Sequence, residues 1–550
     1  MINGFYMGIQ LFFSVVTGLY FLMLLKDKKG AKTVASKDYI KERESMNKLR
    51  KLFLTTPLSE TTRPMSFEEI VGQERGLLAL KAAMCGPNPQ HVIIYGEPGI
   101  GKTAAARVAL DVAKGMCRSP FSQDAKFVEI DATTLRFDER GIADPLIGSV
   151  HDPIYQGAGA YGAAGIPQPK MGAVTKAHGG VLFVDEIGEL HPIQMNKLLK
   201  VLEDRKVFLE SSYYSSEDEN IPYYIHDIFK NGLPADFRLV GATTRNPADI
   251  TPALRSRCME IFFDSLGKED IKKISINAAQ KGQFGYEPEV IELVGRYASN
   301  GRDAVNMIQT AGSIASLDYR NMITIKDMEW VIETGQYSPR VDKKIEQGFR
   351  IGVVNGLAVH GIRTGSLLEI EITADVSVPK QGRVTITGII EEEEFHNNSA
   401  SSKRRSTARA SIDNALTLVE GVTGISHKDY NIHINYPGGS PVDGPSAGIA
   451  IFTALYSAIF KKPISNEIAM TGEVSIIGKV YPVGGVYAKI MAAKQSGVKK
   501  VVIPVGNNQE TFHDMGIKVI PVSKIEEVVK YVFSENTEDI RITAQTLLNA

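Results

Sequence analysis

The sequence predicts a multi-domain α/β protein with its parts in series: an N-terminal transmembrane helix, an α/β core followed by a small helical domain, and a C-terminal α+β domain. Three observations predict it. Residues 5–25 run for 21 positions without a charge. From Phe67 to about Phe263, short aliphatic or β-branched runs alternate with amphipathic stretches. Beyond Gly348 the texture changes to alternating strands. The 550 residues correspond to about three or four folded units at roughly 100–200 residues each. Apolar residues at 43% and charged residues at 23% argue against global disorder. A formal net charge of −1 provides no bulk attraction to nucleic acid, so none is expected as a partner. The three widely spaced cysteines, Cys85, Cys117 and Cys258, fit neither a disulfide framework nor a zinc ribbon and indicate a reducing interior.

Taken in chain order, the run FYMGIQLFFSVVTGLYFLMLL would rise about 31 Å as a helix, enough for a hydrocarbon core of ~30 Å. Lys26, Lys28, Lys29 and Lys32 follow it, whereas residues 1–4 carry no side-chain charge. The positive-inside bias therefore predicts a single-pass anchor over residues 1–26 in the cell membrane, with everything after it in the cytoplasm. A cleaved signal peptide would need basic residues before the run and a small-x-small site after it; both are missing. Residues 27–65 read as a charged helical tether that ends in TTPLSETTRP. Residues 66–265 hold the strand candidates HVIIY, KFVEI, GVLFV and FRLVGA, the pattern of a parallel-sheet α/β domain. Residues 266–347 read as a small helical domain. Residues 348–550 open with the strands LLEIEITADVSV, RVTITGII and NIHINY. Between the last two, EEEEFHNNSASSKRRST reads as an exposed loop.

Chemistry is concentrated in two places. HVIIYGEPGIGKTAAARVAL is strand, glycine loop and helix, and Gly96, Gly101, Lys102 and Thr103 match G-x-x-x-x-G-K-[ST]. Gly96, Glu97, Pro98, Gly99, Ile100 and Gly101 would curl backbone N–H groups round phosphates at a helix N-terminus. Lys102 would reach the β- and γ-phosphates, and the Thr103 hydroxyl would take one Mg2+ position. Further along, GGVLFVDEIGEL ends a strand in Asp185, for the Mg2+ shell, and Glu186, for the attacking water. The pair of motifs predicts ATP and Mg2+ binding.

These residues resemble the AAA+ ATPases. On that resemblance FEEIVGQERGLLALKAA is the box that contacts adenine, and GATTRNP carries sensor 1 at Thr244, with Asn246 as the alternative. ALRSRCMEI carries the arginine finger, Arg257 or Arg255, and NGRDAVNMI carries sensor 2 at Arg302. A finger acts on a neighbour's nucleotide, so the resemblance implies a homo-oligomeric ring, a hexamer. Two insertions bear on substrate. DPIYQGAGAYGAAGIP, with Tyr155 and Tyr161, suits a mobile aromatic pore loop, and ESSYYSSEDENIPYYIHDIF resembles the β-hairpin insert of one AAA+ branch. Aromatics packed on a loop are the plainer reading of both.

The second place is INYPGGSPVDGPSAGIAIFTALYSAIF, which sets Ser446 in a Gly/Pro turn ahead of an apolar helix, followed by GKVYPVGGVYAKIMAAK with Lys489 on the next. A serine nucleophile needs a base, and an ordinary lysine is neutral in only about one molecule in a thousand at neutral pH. Burial among Val486, Tyr487, Ile490 and Met491 would lower its pKa toward ~7–8 and let it accept the serine proton. N–H groups at the start of the helix beside Ser446 would stabilise an oxyanion. GPSAG also fits the hydrolase elbow G-x-S-x-G. That fold needs a strand running straight into the turn and then an acid and a histidine. Here no Asp lies between Ser446 and the one later histidine, His513.

DGPSAG with MTGEVSIIGKVYPVGGVYAK resembles the peptidase signature of the Lon family. The resemblance spans about residues 66–550, and within Lon it is most similar to the short LonB-type proteases of spore-forming bacteria. It implies an ATP-dependent serine endopeptidase with catalytic residues Ser446, Lys489 and Glu186, acting on protein substrates, with Asp443 and Thr471 supporting the Ser–Lys pair. There are departures: the sequence shows no large N-terminal substrate domain of the usual bacterial type, and its apolar segment precedes the ATPase instead of interrupting it. Two other readings are an unfoldase or chaperone whose peptidase domain is a scaffold, and a DNA-acting motor suggested by GATTR. The intact Ser446–Lys489 pair argues against the first and the balanced charge against the second.

Overall fold

The computed structural model describes residues 14–18, 46, 56–135, 144–151, 168–211, 214–218, 221–340, 344–360, 364–388, 393–397, 400–404, 407–437 and 444–533. It divides into two units, Met1–Thr61 and Thr62–Ala550. In the first, residues 14–18 are helical and Leu58–Thr61 form a short helix. The rest of the apolar run 5–25 lies outside the described residues, and among the described residues no helix is long and apolar enough to cross a membrane. Tyr155, Tyr161 and Asp443 also lie outside them.

In the second unit the aliphatic runs become β1 (His91–Tyr95), β2 (Phe127–Asp131), β3 (Val181–Asp185), β4 (Arg238–Thr243) and β5 (Cys258–Phe262). They form one parallel sheet in the order β2-β3-β4-β1-β5. The inner strands β1, β3 and β4 are buried along nearly their whole length because both faces are covered, whereas the edge strand β2 keeps Glu129 and Asp131 exposed. Helices α1 (Glu74–Met84) and α2 (Lys102–Lys114) pack on the sheet. From α3 (Pro192–Asp204), Met195, Leu198 and Val201 share a core with Ile93, Leu182 and Val184. Parallel strands bring the ends of β1, β3 and β4 to one edge, where ligands of such sheets bind.

The insert before β4 departs from the expected hairpin. An antiparallel pair, Lys206–Val207 with Leu233–Pro234, frames a helix, α4 (Tyr223–Asn231). Ile225 is buried, Phe229 stacks on Tyr214, and Gly232 ends the helix at φ +76. One buried face at helical spacing outweighs the β-forming tyrosines, of which Tyr223 and Tyr224 are exposed. The small domain follows as α5 (Lys268–Lys281), α6 (Pro288–Tyr297), α7 (Gly301–Leu317) and α8 (Ile325–Thr334).

The C-terminal part is a seven-stranded mixed sheet. Its strands are β6 (Val353–His360), β7 (Thr364–Val376), β8 (Val384–Thr387), β9 (Tyr430–Asn435), β10 (Ile468–Met470), β11 (Lys500–Pro504) and β12 (Lys518–Val522), in the order β8-β9-β7-β6-β10-β11-β12. β6 and β7, and β7 and β9, run antiparallel; the other neighbours are parallel. β6 is absent from the sequence-based strands because Asn355 interrupts its apolar run. That side chain is buried, and its Nδ2 donates to Asn466 O at 2.8 Å. Helices α9 (Thr407–Thr423), α10 (Gly448–Phe460), α11 (Val486–Gln495) and α12 (Ile525–Phe533) complete the domain. α10 is apolar all round because the sheet, α9 and α12 enclose it. The stretch expected as an exposed loop contains an antiparallel pair, Glu393–Asn397 with Ala400–Arg404. Its register sets Glu393 against Arg404 and Glu394 against Lys403.

Candidate active sites

At the first site, β1 leads into a loop in which Gly99 (φ +75) and Gly101 (φ +97) occupy the left-handed region, which side chains avoid. A Cβ on Gly99 would meet Asn300 Oδ1 at 2.6 Å. Gly96, Glu97, Pro98 and the buried Ile100 complete the loop, and Lys102 and Thr103 open α2. Lys102 is 7% exposed, and its Nζ donates to Gly96 O at 2.7 Å and Glu97 O at 2.9 Å. Burial depresses its pKa; the nearby Glu186 and Asp185 carboxylates oppose this, and the Arg302 charge adds to it. Arg302 stands in the first turn of α7, its Cβ 3.2 Å from where a Gly99 Cβ would lie. Lys102, Asp185, Glu186 and Arg302 thus form one electrostatic cluster.

Asp185 ends β3, its pKa raised by burial although Glu186 N–H donates to it at 3.1 Å. Beside it in register is Asp131, which ends β2. Its carboxylate accepts from the Thr133 N–H at 2.8 Å and O–H at 2.6 Å, capping the 3-10 turn Ala132–Thr134. Glu186 has a left-handed backbone (φ 46). Its Oε2 accepts from both Thr244 N–H (3.0 Å) and Thr244 O–H (2.9 Å). Thr244 is therefore brought to Glu186, whereas Asn246 precedes the 3-10 turn Pro247–Asp249 without a side-chain cap bond. Arg255 is engaged by Glu260 at 2.7 and 3.3 Å, and Glu260 also accepts from Tyr95 O–H. Arg257 donates to Ala253 O and pairs with Glu203 of α3. Among the described residues, neither arginine bonds to this chain's phosphate loop. The glycine cradle, a helix N-terminus and a buried lysine suit a triphosphate, and the Thr103 hydroxyl and Asp185 carboxylate are hard oxygen donors of the kind Mg2+ takes.

At the second site, Ser446 lies in the 3-10 turn Pro445–Ala447 that opens α10. Two neighbours after β10 hold the turn: Gly472 N–H donates to Ser446 O at 2.8 Å, and Thr471 Oγ1 donates to the same oxygen at 3.3 Å. From α11, Lys489 Nζ donates to Thr471 Oγ1 at 3.0 Å. Thr471 is fully buried and Lys489 is 3% exposed. Desolvation pushes the Lys489 pKa down to about 8. Among the described residues no hydrogen bond joins Ser446 Oγ to Lys489 Nζ; Thr471 links the lysine to the serine backbone. Val486 and Ile490, on α11 with Lys489, belong to a core with Leu357, Leu367 and Ala469. His513 lies in the 3-10 segment Glu510–Met515. A buried lysine of lowered pKa next to a serine at a helix N-terminus can do acyl-transfer chemistry without histidine.

An AAA+-type nucleotide domain joined in one chain to such a peptidase domain defines an ATP-dependent serine peptidase. Comparison with known proteins agrees. Residues 322–535 match the family described as Lon protease (S16) C-terminal proteolytic domain, and residues 66–222 match that described as magnesium chelatase, subunit ChlI. The chain is 58% identical to Lon protease 2 of Bacillus subtilis over 528 residues, covering 96% of this chain and 95% of that protein. It is 30% identical to the archaeal Lon protease of Archaeoglobus fulgidus, covering 73% and 68%. With that of Methanothermobacter thermautotrophicus it shares 27%, covering 77% and 68%. The chain belongs to the Lon protease family.

Proposed function

We propose that this ATP-dependent protease is a membrane-tethered, cytoplasm-facing endopeptidase that unfolds protein substrates and cleaves them within a hexameric ring. In this reading the boundaries fall at residues 26, 65, 265 and 347. Ser446 Oγ attacks the scissile carbonyl, and Lys489, freed of its proton, takes the serine proton and later returns it to the leaving amine. Thr471 orients the lysine, and N–H groups at the start of α10 hold the oxyanion. In the motor, the loop 96–101 and Lys102 bind the phosphates of ATP, Arg302 contacts them across the cleft, and Glu186, positioned by Thr244, orients the attacking water. Mg2+, held through Thr103 and Asp185, neutralises phosphate charge when bound. Arg257 serves a neighbour's nucleotide; its partner Glu203 is 56% exposed at the side chain, whereas Arg255 is held twice by the more buried Glu260. Tyr155 and Tyr161 grip polypeptide.

The observation that carries the peptidase assignment is the chain of hydrogen bonds from buried Lys489 through buried Thr471 to the Ser446 carbonyl, with a lysine pKa of about 8. Casein degradation tests it. Wild-type protein should digest casein with ATP, and Ser446→Ala should lose digestion while still hydrolysing ATP. Retained digestion in Ser446→Ala would sink the assignment.

A further inference from the structure

The phosphate loop touches the peptidase domain directly. Thr364 begins β7, and its Oγ1 donates to Glu97 Oε1 at 2.6 Å. A carboxylate only accepts, so the single Thr364 proton is committed there, and Ser265 O–H must be the donor in the 3.1 Å contact between Ser265 and Thr364. Ser265 follows Asp264, whose N–H and C=O are both bonded by the Gln73 side chain at the start of α1. The residue after Thr364 lies hard against the helix of the candidate base: a Cβ on Gly365 would come within 2.1 Å of Ala488 O and 3.0 Å of Ala492 Cβ. On the same helix, Tyr487 receives the Arg75 guanidinium of α1 over its ring at 4.7 Å. Beside these contacts is a cavity of about 630 Å3, lined by Arg75, Ser265, Thr364, Gly365, Tyr487 and Ala488 among others. The junction is thus tied at a few points and has room to shift.

We propose that Thr364 is a positioning residue through which nucleotide binding at the phosphate loop sets the placement of α11 and hence of Lys489. This rests on the reading of Lys489 as the base. Glu97 is held at both ends, its carbonyl by Lys102 Nζ and its carboxylate by Thr364. Phosphate oxygens compete with the Gly96 and Glu97 carbonyls for the same ammonium donors. Lys102 therefore has two alternative sets of partners, and a change between them moves the residue that Thr364 holds. A two-position element biased by both sites is the physical requirement for coupling. Couplings of this kind change rates or affinities by roughly 5–150-fold.

The test measures kcat/KM for an unstructured short peptide with and without saturating ATP, alongside ATPase turnover, in full-length protein. Thr364→Val should keep ATPase turnover and ATP-free peptide cleavage within about twofold of wild type, yet lower the ATP stimulation of cleavage by about fivefold or more. Thr364→Ser keeps the hydroxyl and should restore stimulation, which a packing role for the methyl group would not explain. Full stimulation in Thr364→Val would overturn the proposal. So would failure of Thr364→Ser to restore it, or an equal loss of cleavage with and without ATP. Lys489→Arg, measured in parallel, separates the two readings: if it cleaves peptide well, the base is misassigned, while the stimulation ratios of the Thr364 variants still report on coupling.

Discussion

At Lys489 burial and function pull against each other. Its pKa of about 8 means that below pH 8 most molecules hold the proton and cannot act as base. Peptide-cleavage kcat/KM should therefore climb about tenfold per pH unit toward a plateau above pH 8. The stability sign follows from the same shift: between pH 8 and the ordinary value near 10.5 the unfolded chain binds more protons than the folded one, so this group's contribution to stability rises with pH there and is unfavourable below. Lys489→Met should abolish cleavage yet raise the free energy of unfolding at pH 7 by up to about 3 kcal/mol; a lowered free energy of unfolding would contradict this. Glu186 and Thr244 allow a second test in the motor. Glu186→Gln should bind ATP as wild type does and hydrolyse it at least ~100-fold more slowly, whereas Lys102→Ala should lose binding. Equal loss of binding in both, by fluorescent-nucleotide titration, would refute the division of labour.

Among the elements, α8 offers a stability test independent of both sites. Asp327, 6% exposed, caps it: Oδ2 accepts from Thr324 N–H and O–H at 2.8 Å each, and Arg320 bonds both carboxylate oxygens at 2.9 Å. Arg320 above all holds the carboxyl down to about 2. The stabilisation is complete above the ordinary carboxylate range and disappears as pH falls through 3.8 toward 2. Asp327→Asn should cost about 1–3 kcal/mol at pH 7 and little near pH 2, read from denaturant unfolding at the two pH values. Elements of this kind were legible to different degrees. β1 coincides with HVIIY because a strand buried on both faces is a continuous apolar run. β6 is not legible as such a run because it contains Asn355, whose side chain is satisfied by Asn466, far along the chain. In the sites, the motifs showed where Lys102, Ser446 and Lys489 fall. The bonds Thr244–Glu186, Thr471–Lys489 and Thr364–Glu97 join residues whose meeting depends on the tertiary fold, and no periodicity records that.

For the whole molecule, the ring and the anchor each have an expected outcome. If Arg257 completes a neighbour's site, mixing Arg257→Ala with Lys102→Ala subunits should restore part of the ATPase activity that each lacks alone, since intact site and intact finger then meet across an interface. Additive inactivity at every mixing ratio would place the finger elsewhere. Full-length protein should resist carbonate extraction from membranes, whereas a chain starting at Lys26 should not and should keep its peptidase activity; a soluble full-length protein would remove the anchor. In the proposed function, one chain divides its work between an ATPase and a histidine-free serine peptidase. The most direct test of this division is short-peptide cleavage and ATP hydrolysis measured together in Lys489→Arg, which keeps the charge but cannot become a neutral base. Cleavage reduced by about 10²–10⁴-fold with ATP hydrolysis largely intact is the predicted result, and substantial cleavage in that variant would contradict it.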